Sequence, residues 1–513
     1  MTQWCGNFTE YVWRLLNEKK MLTNKAFQFS ERIITYEELF ENVNKAGNLL
    51  KGKGIKPGDR VMLIMQDSVS LVNAFLGAIR IGAIPIVLNT MLFSKDYPYY
   101  FSDSQARLCI IDEDFLEKID ECKNQCPVIN TGEFDRLTAK QPAYTEFYNC
   151  DLKTPAFWQY SSGTTGKPKA VIHTHFGPVE IYNTYATEIL SISSTDKVLS
   201  TARMFFGYGL GGSLFFPIMA GAMTILFSGR INPENFIKVI NSYKPTIFFS
   251  VPSFYKQLLD YEGGAYSLNT SSLRLAISAG ESLPSVIYYR WFERTGVELL
   301  DGIGTTEALH IFMSNRAGEV KPGSCGKPLK GVQVKLVDES ENIIPGCKLG
   351  RLLIHHPGIA VGYYNQQELN SKVFRDGWLD TGDIFRVDQE GHFWHMGRFN
   401  DMFKVKAMWV SPIEVEEVLL RHKMISDCAV VGVPNKQGLT EIVAYIVLKD
   451  GIKPEDFVAN SQIHNHCEDI LARYKIPTSY NFIETIPKTA TGKKKRYELR
   501  EKFIETSLGR NEI

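Results

Sequence analysis

Neither sign of charge is in excess in this 513-residue sequence: Lys plus Arg total 57, and Asp plus Glu total 57. The basic surplus that marks a duplex-binding protein is missing, so no nucleic-acid partner is expected. Cysteine is sparse and scattered. Of the nine, Cys122 and Cys126 stand closest, and no second pair matches them, which favours ordinary cytosolic thiols over a zinc site. None of the ten His falls in an HExxH pattern or beside a Cys pair; His173/His175, His355/His356 and His464/His466 read as core or surface residues. The opening MTQWCGNFTEYVW has no basic region followed by an apolar run. No signal peptide is therefore expected, and the cytoplasm is the default. No internal repeat or low-complexity tract interrupts the chain.

One long stretch lacks charge altogether. Met204 to Phe227, MFFGYGLGGSLFFPIMAGAMTILF, runs for 24 residues, enough to span a bilayer. It carries five Gly and a Pro and has no comparable second span. A buried helix lining a pocket is the expectation, and no membrane association.

What is present is an ordinary globular composition, 44% apolar and 22% charged, in a chain long enough for several domain-sized units. Short apolar runs recur at crossover spacing: RVMLIMQ (Arg60 to Gln66), IPIVLN (Ile84 to Asn89), LCIID (Leu108 to Asp112), TIFFSVP (Thr246 to Pro252) and LRLAISAG (Leu273 to Gly280). Helical stretches such as SVSLVNAFLGAIRIGA lie between them, which predicts layered α/β structure with largely parallel sheets. From Gly323 to about His395 the texture becomes Gly-rich and turn-rich, with VQVKLVD and GRLLIHH as strands of a small antiparallel unit. Beyond GRFNDMFK, Gly397 to Lys404, a further unit follows, with an amphipathic PIEVEEVLLRH helix and the strands DCAVVGVP and EIVAYIVLK.

Several islands carry chemistry. YSSGTTGKPKA (Tyr160 to Ala170) follows the strand-like AFWQY. Its Gly residues allow close backbone approach to an anion, and its hydroxyls and Lys167/Lys169 can meet phosphate. It is not a P-loop, because Gly163 and Gly166 are too close and Pro168 follows Lys167. DGIGTTEALH (Asp301 to His310) offers Glu307 as an oxygen ligand for a divalent metal and Thr306 for a phosphate. GWLDTGD (Gly377 to Asp383) offers Asp383 to a ribose diol. PKTATGKKKR (Pro487 to Arg496) is basic and Gly-containing, a pattern that is commonly a solvated charge run.

SSGTTGKPK, GIGTTE, WLDTGD, GRFND and PKTATGK stand in the order and approximate spacing of the adenylate-forming ligases. The sequence therefore resembles that superfamily of acyl-CoA synthetases, luciferases and peptide-synthetase adenylation domains over nearly its whole length. RMFFGYGLGGSLFFP and DGIGTTEALHIFMSN look most like benzoate-CoA ligase and related aryl-CoA ligases. The fold implied is α/β: a large N-terminal domain of layered sheets with a small β-barrel-like unit (residues 1–397), then a small mobile α+β C-terminal lid (residues 398–513). The activity implied is ATP-dependent conversion of an aromatic, benzoate-like acid to an acyl-adenylate, then transfer to the thiol of CoA with release of AMP and pyrophosphate. ATP, Mg²⁺ and CoA are the implied cofactors, and a homodimer is left open. One alternative loads the phosphopantetheine of an acyl carrier protein in trans; another is a non-catalytic nucleotide or acyl-adenylate binder.

The resemblance also assigns residues. Ser161, Ser162, Gly163, Thr164, Thr165, Gly166 and Lys169 would grip the β,γ-phosphates. Thr306 would contact the α-phosphate and Glu307 would bind Mg²⁺. Gly280, Glu281, Asp301 and Gly302 would shape the adenine pocket, while Asp383 and Arg398 would hold the ribose. Lys493 would bridge the attacking carboxylate and the α-phosphate, with Lys494 and Lys495 facing solvent. Phe206, Tyr208, Gly209, Gly211, Gly212, Gly304, His310, Ile311 and Phe312 would line the acid pocket, the glycines leaving room for a flat ring. Lys404 would face the active site in a second conformation, reached by rotation about Asn400. Two positions depart from the family: Asn400, where many relatives carry Asp or Lys, and Ala407, where the loop that meets pantetheine usually has Gly. An added Cβ is unfavourable wherever φ must be positive or backbone must approach closely.

Overall fold

A computed structural model describes residues 6–162, 167–261, 267–346, 348–406, 408–435, 439–452, 461–488 and 494–508. Two large sheets form its N-terminal part. One has seven strands in the spatial order Gly362–Tyr363, Pro168–Thr174, Pro155–Ser162, Ile84–Val87, Arg60–Ile64, Leu108–Ile111 and Val128–Asn130. The other has nine, with Leu299–Gly304, Leu275–Ser278, Ile247–Ser250, Lys197–Ser200, Met223–Leu226 and Lys25–Phe29 consecutive and mutually parallel. Helices such as Val69–Arg80, Pro252–Asp260 and Ser285–Thr295 carry the chain between parallel neighbours, as a parallel pair requires. The apolar runs read as strands are strands, buried at nearly every position.

Aromatic packing joins the two sheets. Phe157, on the seven-stranded sheet, lies 5.6 Å from Phe75 and 5.5 Å from Phe215 between ring centroids, and Phe8 meets Phe215 edge-on at 5.3 Å. All four are fully buried. Removing one such ring from a packed core costs about 3–5 kcal/mol.

The uncharged stretch is not one helix. It forms Gly207–Leu210, a wide π turn at Gly211–Phe215, and Phe216–Ala220. Gly221 then ends the helical run with φ +70°, a left-handed cap that suits Gly. Met223–Leu226 continues as a strand, parallel to both Lys25–Phe29 and Lys197–Ser200. Among the described residues no helix is long and apolar enough to cross a membrane.

The small unit is an antiparallel sheet of Gln333–Val337, Leu349–His355, Trp378–Val387 and Phe374–Arg375, with Phe393–Arg398 added on Trp378–Val387. A short turn, Phe399–Asp401, leads to the hairpin Phe403–Val405/Met408–Val410. Pro412–Leu420 follows, capped by Ser411, whose hydroxyl accepts from the Glu414 amide, with Pro412 at its first position; both suit a helix start. The remainder is a three-stranded sheet, Ile425–Pro434, Thr440–Leu448 and Ser479–Phe482. The whole is a large α/β N-terminal part and a smaller α+β C-terminal part.

Candidate functional site

The site collects where the two large sheets and the small unit meet. Antiparallel pairing sets Ser161 opposite Lys169, and Gly362–Tyr363 adds beside Lys169's strand. Facing them, the chain leaves strand Leu299–Gly304 into the turn Thr306–Ala308, where the Thr305 hydroxyl accepts from the Ala308 amide at 3.1 Å. That cap aims Glu307 back at the sheet. The Tyr363 hydroxyl donates to Glu307 Oε1 at 2.9 Å, and the Ser161 hydroxyl donates to the same oxygen at 3.3 Å. The Lys169 ammonium stands 5.3 Å from the Tyr363 ring centroid. Burial lowers the Lys169 pKa and Glu307 pulls it back up, while burial and Glu307 together raise that of Tyr363.

Tyr363 was not signalled by any motif. Asn370 clamps its backbone, accepting from the Tyr363 amide at 2.7 Å and donating to the Tyr363 carbonyl at 2.8 Å. The legible clue was modest: an aromatic pair and two Asn in GYYNQQELN.

On the adenine side the expected residues also converge. Ser278 pairs with Asp301 in neighbouring strands, which sets Gly280 (φ +88°) and Glu281 beside Asp301 and Gly302. Glu281 accepts from the Ser253 hydroxyl at 2.9 Å and amide at 3.3 Å. Burial raises its pKa, against the pull of Ser253, Lys488 and Lys494. Asp301 is buried and its carboxyl is pushed well up by desolvation, against Ser278 and the Gly302 amide.

Asp383 is buried, and directly opposite it in the antiparallel ladder stands Arg398. Arg398 Nε lies 3.1 Å from Asp383 Oδ1, and its Nη1 donates to the Thr381 carbonyl at 2.8 Å. His395 Nε2 is also 3.1 Å from Asp383 Oδ1; no sequence motif had pointed to it.

The acid pocket's expected wall is aromatic and uncharged. His310 is buried among Tyr185, Tyr208 and Phe216, with ring centroids 5.4, 5.5 and 4.7 Å away. Burial holds its pKa down at about 3, against a hydrogen bond to the Tyr208 carbonyl. The ring is therefore neutral at physiological pH. The Tyr208 hydroxyl is within bonding distance of the Ser250 and Ile277 carbonyls, 3.1 and 3.0 Å. Phe206 packs on Phe205 at 4.5 Å, and Ile311 and Phe312 are buried in strand Ile311–Ser314.

Two expectations need correction. The glycines do not leave empty room, because the protein fills it. A Cβ on Gly211 would fall 2.3 Å from the His310 ring, on Gly209 2.1 Å from the Arg203 carbonyl, on Gly304 2.2 Å from the His310 carbonyl, and on Gly212 3.1 Å from the Phe249 ring. Lys494, expected in solvent, is largely buried instead. Its ammonium is 2.9 Å from Glu416 and 3.6 Å from Asp427 and bonds the Cys428 carbonyl. Burial is the largest single influence and opposes its charge, but Glu416, Cys428 and Asp427 together outweigh it and raise the pKa. Lys495 pairs with Glu498 at 2.7 Å.

Lys404 stands apart from these groups, 2.9 Å from Glu339 and 4.5 Å from the Trp409 ring centroid. Asn400 lies in the turn Phe399–Asp401. Gly163, Thr164, Thr165, Gly166, Ala407 and Lys493 lie outside the described residues, as does the side chain of Ser162. Lys488 and Lys494, which flank residues 489–493, pair by a backbone bridge, and both act on Glu281.

A family model described as AMP-binding enzyme matches residues 17–364, and one described as AMP-binding enzyme C-terminal domain matches residues 414–493. The 3-hydroxybenzoate–CoA ligase of Aromatoleum sp. (strain CIB) is 38% identical over 482 residues, covering 92% of each chain. The benzoate–CoA ligase of Thauera aromatica is 38% identical over 478 residues, 91% of this chain and 90% of that one. The crystal structure of the anthranilate CoA ligase AuaEII in complex with anthranoyl-AMP matches with a TM-score of 0.91 at 36% identity, covering 97% of both chains.

Proposed function

Because this chain belongs to the AMP-binding enzyme family, we propose that it is an AMP-forming acid–thiol ligase that joins a benzoate-like aromatic acid to CoA. The observation that carries the aromatic substrate is the wall of Tyr185, Tyr208 and Phe216 around a neutral, buried His310. Aromatic, uncharged surroundings of this kind match a flat, uncharged ring better than an alkyl chain. Its relatives named as aryl-CoA ligases support the same substrate class, and support CoA over a carrier protein as acceptor.

In the first half-reaction a carboxylate oxygen of the acid attacks the α-phosphorus of ATP, and the bond to the pyrophosphate oxygen breaks. A carboxylate is a poor acylating agent until its oxygen becomes a good leaving group, and the adenylate supplies one. Ser161 and Lys169, with the loop of Ser162, Gly163, Thr164, Thr165 and Gly166, hold the β,γ-phosphates. Thr306 contacts the α-phosphate. Lys493, by the resemblance, would bridge the acid and that phosphate and offset the repulsion of two anions.

Glu307 would be the protein's ligand for Mg²⁺. Its donor set fits a hard cation that takes oxygen from one carboxylate and from phosphates, and among the described residues no cluster of three or more His, Cys, Asp or Glu offers a full protein cage. When bound, such an ion supplies positive charge to the phosphate oxygens. Tyr363 and Ser161 both donate to Oε1, which fixes the carboxylate's rotation. In the second half-reaction the CoA sulfur attacks the acyl carbon, the acyl–oxygen bond breaks, and AMP leaves. The C-terminal part, residues 398–513, turns about Asn400 between the two steps.

Pyrophosphate exchange into ATP tests the reading directly. Exchange should be rapid with benzoate, 3-hydroxybenzoate or 2-aminobenzoate and weak with acetate and palmitate. Rapid exchange with acetate or palmitate and none with the aromatic acids would overturn it.

A further inference from the structure

We propose that His395 is a positioning residue for nucleotide recognition, tying the ribose-binding carboxylate to the adenine-side turn through both of its ring nitrogens. The proposal rests on the nucleotide role given to Asp383 above. Three facts carry it.

First, simple strand alternation would separate His395 from Arg398. Residues three apart on a strand point to opposite faces. Here the pairing runs Asp383 with Arg398, Ile384 with Gly397, then Phe385 with His395, so Met396 is an extra residue on its strand. This bulge, with Gly397 at φ +116°, reverses the parity and turns His395 to the same side as Arg398. Re-aiming a side chain is what bulges near sites commonly do.

Second, both nitrogens find complementary partners. Nε2 is 3.1 Å from Asp383 Oδ1, and Nδ1 is 3.3 Å from the Ser282 hydroxyl. A neutral ring protonated at Nε2 satisfies both contacts, donating to the carboxylate and accepting from the hydroxyl.

Third, the two partners belong to different walls. Ser282 directly follows Gly280 and Glu281 at the end of strand Leu275–Ser278, while Asp383 lies on Trp378–Val387. His395 thus spans the junction of the nine-stranded sheet with the small unit. The Phe385 ring, 5.3 Å away, supports its plane.

The expected consequence is selective. His395 itself makes no demand on the acid or on CoA; it fixes the carboxylate that reads the ribose hydroxyls. The test is calorimetric binding of ATP and of 2′-deoxy-ATP and 3′-deoxy-ATP, without acid or CoA, to the full chain and its variants. His395→Phe keeps the ring packing and removes the donor. It should weaken ATP binding by about tenfold, the loss typical of one hydrogen bond to a charged group. The deoxynucleotide that Asp383 no longer reads should weaken far less, so the preference for ATP shrinks. His395→Gln, whose amide can still donate to Asp383, should restore most of that preference.

Ser282 is exposed, so Ser282→Ala folds independently of any effect on the ring, and it should shift the preference the same way by about two- to threefold. Equal weakening for ATP and both deoxynucleotides in His395→Phe, or an unchanged preference, overturns the proposal. Asp383→Asn separates the two levels. If it abolishes the preference while His395→Phe keeps it, His395 alone loses its role. If Asp383→Asn itself leaves the preference intact, the ribose role of Asp383 falls and the proposal with it.

Discussion

Glu307 has both of its hydroxyl donors on one oxygen, Oε1, so its other oxygen is the one that would serve the proposed cation. Tyr363→Phe removes the shorter of the two bonds and keeps the ring under Lys169. The expected result is a several-fold rise in the Mg²⁺ concentration needed for half-maximal pyrophosphate exchange, read by titrating the metal at fixed ATP. Lys493→Ala should act differently. Adenylation should fall by orders of magnitude, while thioester formation from a supplied adenylate stays much less affected; parallel single-turnover assays of the two steps check it, and equal losses would remove the assigned role. At this scale motifs in the sequence singled out Glu307, Asp383 and Arg398, and the fold gives each of them polar partners. It was blind where a partner is distant in sequence. Lys494 looks like one more solvated charge until Glu416, 78 positions earlier, is folded against it.

Elements were legible to the degree that their burial is simple. Arg60–Ile64, Ile84–Val87 and Leu108–Ile111 are short apolar runs bounded by turns, buried on both faces as central parallel strands are. The stretch 204–227 defeated the same logic, because a fully buried segment has no periodicity to separate helix from strand. Its partition depends on Gly221 and on the two parallel partners awaiting Met223–Leu226. The bulge at Met396 was likewise invisible, since it exists only in the register with Trp378–Val387. A prediction belongs to the π turn. Gly211→Ala would press a methyl into the His310 ring, from 2.3 Å. We expect a loss of about 1–3 kcal/mol in denaturant unfolding and a larger fall in exchange with benzoate than in ATP binding.

For the molecule as a whole, four buried histidines set an acid limit. Burial brings His173 and His310 down to about 3 and His175 and His356 to about 4, from an ordinary 6.5. Each stays neutral in the fold, whereas the unfolded chain takes up a proton below about 6.5. Their contribution is therefore complete above pH 6.5 and is lost as pH falls toward 4 and 3. The slope is about 1.4 kcal/mol per pH unit for each proton. Thermal midpoints measured from pH 7.5 to 4.5 should be level above 6.5 and fall with growing steepness below it.

The junction between the two parts of the chain carries a final consequence. The Met396 carbonyl, freed from its ladder by the bulge, accepts from the Ser411 hydroxyl at 2.6 Å, and these residues lie on opposite sides of Asn400. Ser285 donates to Glu417 at 3.2 Å and Lys256 to Ser426 at 3.4 Å across the same divide. A neutral bond of this kind is worth about 1 kcal/mol and one to a charged group about 1.5–3 kcal/mol, so only a few kcal/mol of hydrogen bonding is held in these three contacts. The rotation about Asn400 proposed above would have to release Ser411 from the strand that presents His395 and Arg398. On that proposal, the escapement for the lid would be cut into the same strand that presents the proposed ribose-side residues.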